Sequence, residues 1–212
     1  MAVMCGMKIN HVIRSLVLGD FFINAGFSLF APVFAIFVTR QISNGNLEVL
    51  GFAAAIVQIF KVVFEIPVAA YLDRNRGEYD DFYAMIFGAL LTAVIPFMYL
   101  IATTPTHLYI ISAIYGIGIA FTVPPWSAIF SRHLDQGHEN IDYSIESVAI
   151  GIAAAGAAAL SGILSQHVGF SVVFLVAGVL AIFGASQQIK IYSDIRSKVS
   201  RGVVKPDIKG SI

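Results

Sequence analysis

Six long apolar stretches, separated by short polar segments, make up most of this chain. Each is close to the roughly 20 helical residues that cross a hydrocarbon core of about 30 Å. Since lipid cannot satisfy backbone polar groups, we predict that each stretch is a transmembrane helix and that the fold class is an all-α integral membrane bundle. We call the stretches spans 1 to 6, at about residues 15–39, 48–72, 82–103, 107–131, 144–167 and 170–189.

Composition supports lipid as the solvent of this chain. Hydrophobic residues make up 58% of the sequence and charged residues 12%, which is more apolar surface than a soluble domain of 212 residues hides in one core. We therefore predict one six-helix transmembrane domain over residues 1–192. Residues 193–212 have charges, Gly and Pro but no apolar period, which predicts a flexible basic cytoplasmic tail.

The cationic side chains are sorted to one side of the spans. Of thirteen Lys and Arg residues, only Arg40 lies in a connection on the other side and only Lys61 lies deep within a span. Cytoplasmic connections carry the excess of Lys and Arg in membrane proteins. We therefore expect a multi-pass protein of the plasma (inner) cell membrane with both termini in the cytoplasm.

A faint internal repeat relates spans 1–3 to spans 4–6. The spacing of Gly, five residues, Pro, one residue and an aromatic side chain occurs at 26–34 and again at 118–126. Two successive sets of three spans have opposite membrane orientations. The pattern therefore predicts a 3+3 inverted repeat, as found in transporters.

Ionisable side chains occur within the first two spans, where each costs about 3 kcal/mol or more to insert. Asp20 lies in span 1, one helical turn before Asn24, and Lys61 and Glu65 lie four residues apart in span 2. That spacing places Lys61, Glu65 and also Gln58 on nearly one helical face. We expect Lys61 to reach Asp20 across a contact between spans 1 and 2.

This group of charges has two interpretations. Two carboxylates and one ammonium leave a charge of −1, which a proton or a small cation could neutralise, so the residues would form a substrate or cation site with Trp126 among the aromatic lining. The alternative is a static ion pair that fixes helix register and never meets a solute. The five histidines mostly flank the spans and none has metal-ligand spacing, so no metal and no cofactor is predicted.

Span 5 carries small residues at regular intervals. Gly151, Gly156 and Gly162 lie in a run of alanines. Small residues let the backbone of another helix approach closely in a membrane. We therefore expect these three glycines to serve helix packing.

The end of span 2 carries a recognisable motif. Residues 65–77 resemble the signature between spans 2 and 3 of the major facilitator superfamily, in which a small residue is followed four residues later by Asp-Arg and then by glycine and basic residues. Ala69, Asp73 and Arg74 match this pattern. By this resemblance Asp73 and Arg74 would form a cytoplasmic gate.

Two further segments are similar to motifs of that family. Residues 115–120 resemble its span 4 pattern, with Ser112 where the family has an arginine linked to proton coupling, and residues 162–174 resemble its junction of spans 5 and 6. The resemblance implies a six-helix bundle that matches the amino-terminal half of a twelve-helix transporter. Spans 1, 2, 4 and 5 would then face the central cavity.

These observations favour a small-solute transporter of the major facilitator type that works by alternating access. Because one half supplies only one wall of the cavity, we expect a homodimer or a second half-chain, with a small solute and the lipid bilayer as further partners and no nucleic acid. A non-transporting membrane scaffold that retains the half-transporter fold is the alternative. We do not expect an enzyme, because no nucleophile and base lie together in the later spans.

Overall fold

The computed structural model describes residues 10–75 and 77–195, except for the side chain of Asn75. These residues form helices joined by short connections. Span 1 consists of two helices and the 3₁₀ turn between them, and spans 2–6 are one helix each, which confirms the all-α fold with six helices of membrane-spanning length. The bounds are α1 His11–Phe30, the turn Ala31–Val33, α2 Phe34–Gln41, α3 Leu47–Asn75, α4 Glu78–Tyr99, α5 Pro105–Arg132, α6 Glu139–His167 and α7 Phe170–Ile189.

Local sequence explains where several helices begin and end. The side chain of Asn10 caps α1 by accepting a hydrogen bond from the Val12 amide (3.1 Å), and Thr104 caps α5. The break between α1 and α2 lies at Pro32, which has no amide hydrogen to continue the helical ladder. Most helices extend beyond the predicted spans because apolar composition marks the hydrocarbon core and helices continue into the polar region.

The two ends of the bundle can be distinguished by contacts between connections. At one end, here called the basic end, the Asn10 side chain donates to the His133 carbonyl oxygen (3.1 Å) and His11 pairs with Asp194 (2.7 Å). At the opposite end, which we call the far end, the Ser43 amide donates to the Thr103 carbonyl oxygen (2.9 Å). Successive spans therefore run in opposite directions.

The helices pack side by side in an order that differs from the chain order. The principal contacts join α3 to α5, α5 to α4, α4 to α7, α7 to α1 and α1 to α6. Exchange of span 1 with 4, 2 with 5 and 3 with 6 converts this row into itself, read in reverse. An inverted repeat would produce this contact pattern, and the predicted 3+3 repeat remains a prediction that the pattern supports.

The close helix crossings are made by glycines other than those expected. A Cβ atom on Gly26 would lie 2.6 Å from the Ala177 carbonyl oxygen, and glycines 88, 116, 118 and 184 meet neighbouring helices similarly. Gly151, Gly156 and Gly162 have nothing within 4 Å of such an atom, so they do not pack against any described helix of this chain. Helix α6 instead buries another stripe, formed by Ala153, Ala157 and Ser161.

The outer members of the row are the least buried helices. Helices α3 and α6 expose large apolar side chains along most of their length, because each has one principal neighbour. Helices α4 and α7, in the middle of the row, are flanked on two sides. The surfaces of α3 and α6 are therefore where lipid or another subunit would be met.

The start of the expected tail is packed onto the bundle. Residues 192–195 form a further helical turn, and Ile191 and Ile195 are buried in an apolar cluster with Val12 and Phe82. The boundary predicted at residue 193 is therefore too early, because a single buried isoleucine after a polar run gives no apolar period. Residues 196–212, the rest of that tail, lie outside the described residues.

Candidate solute-binding site

Asp20 is the centre of a polar group contributed by four helices. The Gln188 side chain on α7 donates a hydrogen bond to Asp20 Oδ1 (3.0 Å), and Glu146 on α6 is the nearby charge that acts on Asp20. The indole of Trp126 on α5 lies beside the Asp20 carboxylate, but its buried Nε1 makes no hydrogen bond of normal geometry. Within the described residues Asp20 has no cationic partner, so its carboxyl group lies inside the bundle without an ion pair.

Lys61 does not make the contact that the sequence led us to expect. Its ammonium lies 3.9 Å from the Glu65 carboxylate, one turn away on the same helix, and each side chain is 30% exposed. Gln58, on the same stretch of α3, is exposed. The reason is the packing order: α3 packs on α5 and has no principal contact with α1. The expected bridge from Lys61 to Asp20 is therefore not formed.

A cavity of about 280 Å³ opens beside Asp20 between α1, α4 and α5. We call it the polar cavity because Asp20, Asn24, Thr92 and Thr122 line it. The Asn24 side chain donates to the Asp20 backbone carbonyl oxygen (2.9 Å), which fixes the amide next to the carboxylate. Of the sequence-predicted residues, Asp20 and Asn24 are thus brought together at one cavity.

A second cavity of about 340 Å³ lies towards the far end, where α1, the 3₁₀ turn and α2 meet α3 and α5. We call it the aromatic cavity because Phe27, Phe30, Phe34, Tyr99 and Tyr115 line it. The rings of Phe27 and Tyr115 are stacked, with centroids 5.1 Å apart and an interplanar angle of 11°. Both rings also line the polar cavity, so this pair is the partition between the two spaces.

Ser112, which stands where the resembling motif has an arginine, lies on the wall of the aromatic cavity. Ser112 lines the aromatic cavity and is itself 3% exposed. The small hydroxyl at this position leaves space that the arginine of the resembling motif would occupy. The apolar character of the cavity therefore depends on this departure from the motif.

The expected gate residues lie at the basic end of the bundle. Asp73 and Arg74 are exposed near the end of α3, and neither has an ion pair with the residues that the structure describes. The ion pair that joins two helices here is instead Asp81 on α4 with Arg132 on α5, in which the Asp81 side chain is 5% exposed. Sequence reasoning missed this pair because the only signal was an acid in the first turn of one helix and a base in the last turn of another.

We expect the Asp81–Arg132 pair to stabilise the basic end. Asp81→Asn and Arg132→Gln should each lower the free energy of unfolding by about 1–3 kcal/mol, less than a fully buried pair because Arg132 is half-exposed. Thermal or denaturant unfolding in detergent would measure the cost. The double variant should lose less than the two single losses added, and strict additivity would show that the pair contributes nothing.

Comparison with known proteins gives the family. None of the curated proteins matches this chain at a significant level. The family model of the Major Facilitator Superfamily matches residues 16–200, which includes the helices of both cavities. Proteins of this family are membrane transporters that carry small solutes across lipid bilayers. With its six membrane-length helices and this match over most of its length, the chain belongs to the Major Facilitator Superfamily.

Proposed function

We propose that this chain moves a small solute by alternating access, with Asp20 as the group that binds the solute or a coupled cation. The observation that carries this proposal is a carboxyl group on the wall of a 280 Å³ cavity with no cationic partner among the residues that the structure describes. Asp20 lies nine residues after the start of α1, about 14 Å along the helix axis. An ionisable side chain at that depth is costly and is usually retained for function.

The Lys61–Glu65 pair fits the static interpretation better. It lines neither cavity, and its two charges satisfy each other within one helix. This local pair would lower the cost of placing α3 in lipid without a role in binding.

Reconstitution into liposomes, with solute uptake measured with and without a pH gradient, would test the transport function, and absence of any flux would favour a non-transporting scaffold.

The transport unit in this proposal contains two six-helix bundles, with both termini in the cytoplasm. Helices α3 and α6 are the two ends of the row, and each exposes several large apolar side chains. A two-fold related copy would place α3 of one chain against α6 of the other and close the space between the rows. Gly151, Gly156 and Gly162 lie on α6 with no described residue of this chain near them, so such a partner could contact them.

A crosslinking experiment tests this arrangement. Ile66 on α3 and Val148 on α6 are both exposed and both about 14 Å from the basic end along their helices. With Cys5, the single cysteine, replaced by serine, the pair Ile66→Cys and Val148→Cys should give crosslinked dimers in membranes. The control pairs Ile66→Cys with Val179→Cys on α7, at similar depth, and should not crosslink. Equal crosslinking by both pairs, or monomers only, would contradict the homodimer.

A further inference from the structure

The polar cavity offers hydrogen-bond acceptors, whereas most of its donors are already used. The hydroxyl of Thr92 donates to the Ala89 carbonyl oxygen (2.9 Å), and that of Thr122 donates to the Gly118 carbonyl oxygen (2.8 Å). The Asn24 side chain also donates one of its amide hydrogens to a backbone carbonyl oxygen of its own helix. The lone pairs of these oxygens and the Asp20 carboxylate remain, which suits a ligand that donates hydrogen bonds.

A further acceptor next to Asp20 is unsatisfied. Gln188 is fully buried, its Nε2 donates to Asp20, and its Oε1 has no hydrogen-bond partner. A buried polar atom left without a partner costs about 1–3 kcal/mol, so such an atom requires an explanation. Gln188 lines neither cavity, so its hydrogen bond holds in place the Asp20 carboxyl group that does line the polar cavity.

The electrostatics around this site favour a cation. Asp20 lies near a second acid, Glu146, and neither has an ion pair within the described part of the chain. Lys190, two residues after Gln188, donates to Gln187 (2.6 Å), and Lys61 pairs with Glu65. The described groups that act on Asp20 from α5 and α7, Trp126 and Gln188, are neutral. A ligand cation would therefore supply the ionic partner that Asp20 lacks among the described residues.

The aromatic cavity suits the rest of such a ligand. Its lining of Phe and Tyr rings provides apolar surface. The faces of these rings attract the edges of aryl groups and also attract a nearby cation. The two cavities meet at the Phe27–Tyr115 stack. At about 340 and 280 Å³ they lie near the lower end of the range for small-molecule sites.

We propose that the two cavities form one site for an amphipathic organic cation, whose ammonium group binds Asp20 and whose aryl or alkyl body occupies the aromatic cavity. This inference rests on the proposed transport function and names the class of its solute. The Phe27–Tyr115 pair has to separate, or admit a slender chain between the rings, for the ligand to span both cavities.

The single tryptophan of the chain reports on this site directly. Trp126 lies beside Asp20 and stacks on Phe130 (centroids 4.7 Å apart), so its fluorescence is sensitive to a ligand at the carboxylate. The purified full chain in detergent would be titrated with 4-phenylbutylammonium and with its neutral analogue 4-phenylbutan-1-ol. We expect a saturable change with the ammonium compound and at least ~10-fold weaker binding of the alcohol, since a charge-assisted hydrogen bond is lost.

Two variants make the test specific. Asp20→Asn, which can still accept the Gln188 hydrogen bond, should remove the preference for the ammonium compound, and the matched control Glu48→Gln, an exposed acid in the first turn of α3, should keep it. Equal affinity of wild type for both compounds, no saturable response to the ammonium compound, or a preference that survives Asp20→Asn would each overturn the proposal. The wild-type comparison decides the matter alone if Asp20→Asn does not fold.

Binding and transport can fail separately in these measurements. Both cavities are built within one chain, so the fluorescence titration does not require a dimer. Saturable ammonium binding without flux in liposomes would contradict the proposed transport function and leave the site intact. Flux of a neutral solute without ammonium binding would contradict the site and leave the transport function intact.

Discussion

Replacing Asp20 with asparagine should slow solute movement strongly while the chain still folds. The substitution removes the ionisable carboxyl group and keeps the shape of the side chain and its ability to accept the Gln188 hydrogen bond. A hydrogen bond to a charged group contributes about 1.5–3 kcal/mol, so the flux should fall by roughly one to two orders of magnitude. The loss would be measured as uptake into two preparations of proteoliposomes, one with wild type and one with the variant, at equal protein content.

Two controls separate charge at this site from charge in general. Glu48→Gln removes a carboxylate from the exposed first turn of α3 and should leave flux near the wild-type rate. Elution of Asp20→Asn as a single species on gel filtration, with Trp126 emission like that of wild type, would establish that the fold persists. Full flux in a well-folded Asp20→Asn variant would remove Asp20 from the transport mechanism.

A single methyl group added at Gly88 should destabilise the bundle markedly. A Cβ atom there would lie 2.6 Å from the Gly118 carbonyl oxygen and 2.8 Å from the Phe121 carbonyl carbon. The Thr122 hydroxyl also lies in the way, and although that side chain could rotate, the two backbone atoms of α5 cannot move aside, so the two helices must separate. Overpacking of this kind costs about 1–3 kcal/mol, occasionally more, and Gly88→Ala should lower the melting temperature in detergent accordingly.

Gly156→Ala is the matched control for this prediction. Its new methyl group meets nothing within 4 Å in the described part of the chain, and alanine has a helix propensity up to about 1 kcal/mol better than glycine. The melting temperature of the monomer should therefore stay the same or rise. Equal destabilisation by both substitutions would mean that the glycine contacts do not hold α4 and α5 together. Dimer loss in Gly156→Ala with an unchanged monomer would place Gly156 at a subunit contact.

The composition and length of the apolar stretches were sufficient to predict the helices but not to predict which helices pack together. Twenty-residue apolar stretches have one stable form in lipid, so six helices follow from composition and length. The choice of which helices touch is made by contacts distributed over many residues, and adjacent spans in the chain need not pack. The expected link between Lys61 and Asp20 was wrong for this reason, because α3 lies against α5 and Lys61 reaches Glu65 instead.

The same reasoning applies to the glycines and to the basic end. A glycine in a helix reads the same whether its missing side chain faces a neighbour or lipid, so Gly156 could not be distinguished from Gly88 without coordinates. The Asp81–Arg132 pair likewise joins residues fifty-one positions apart whose partnership depends on the α4–α5 crossing.

The sequence by itself determined that this chain is a six-span membrane protein of the major facilitator kind and that Asp20 and Asn24 are out of place in lipid. These conclusions depend on hydrophobicity and short motifs, which are local properties. The tertiary structure decided that Asp20 lies with Gln188, Trp126 and Glu146, and that a stacked Phe27–Tyr115 pair divides a polar from an aromatic cavity. Such groupings arise from helix packing, which brings together residues from distant parts of the chain and leaves no local trace in the sequence.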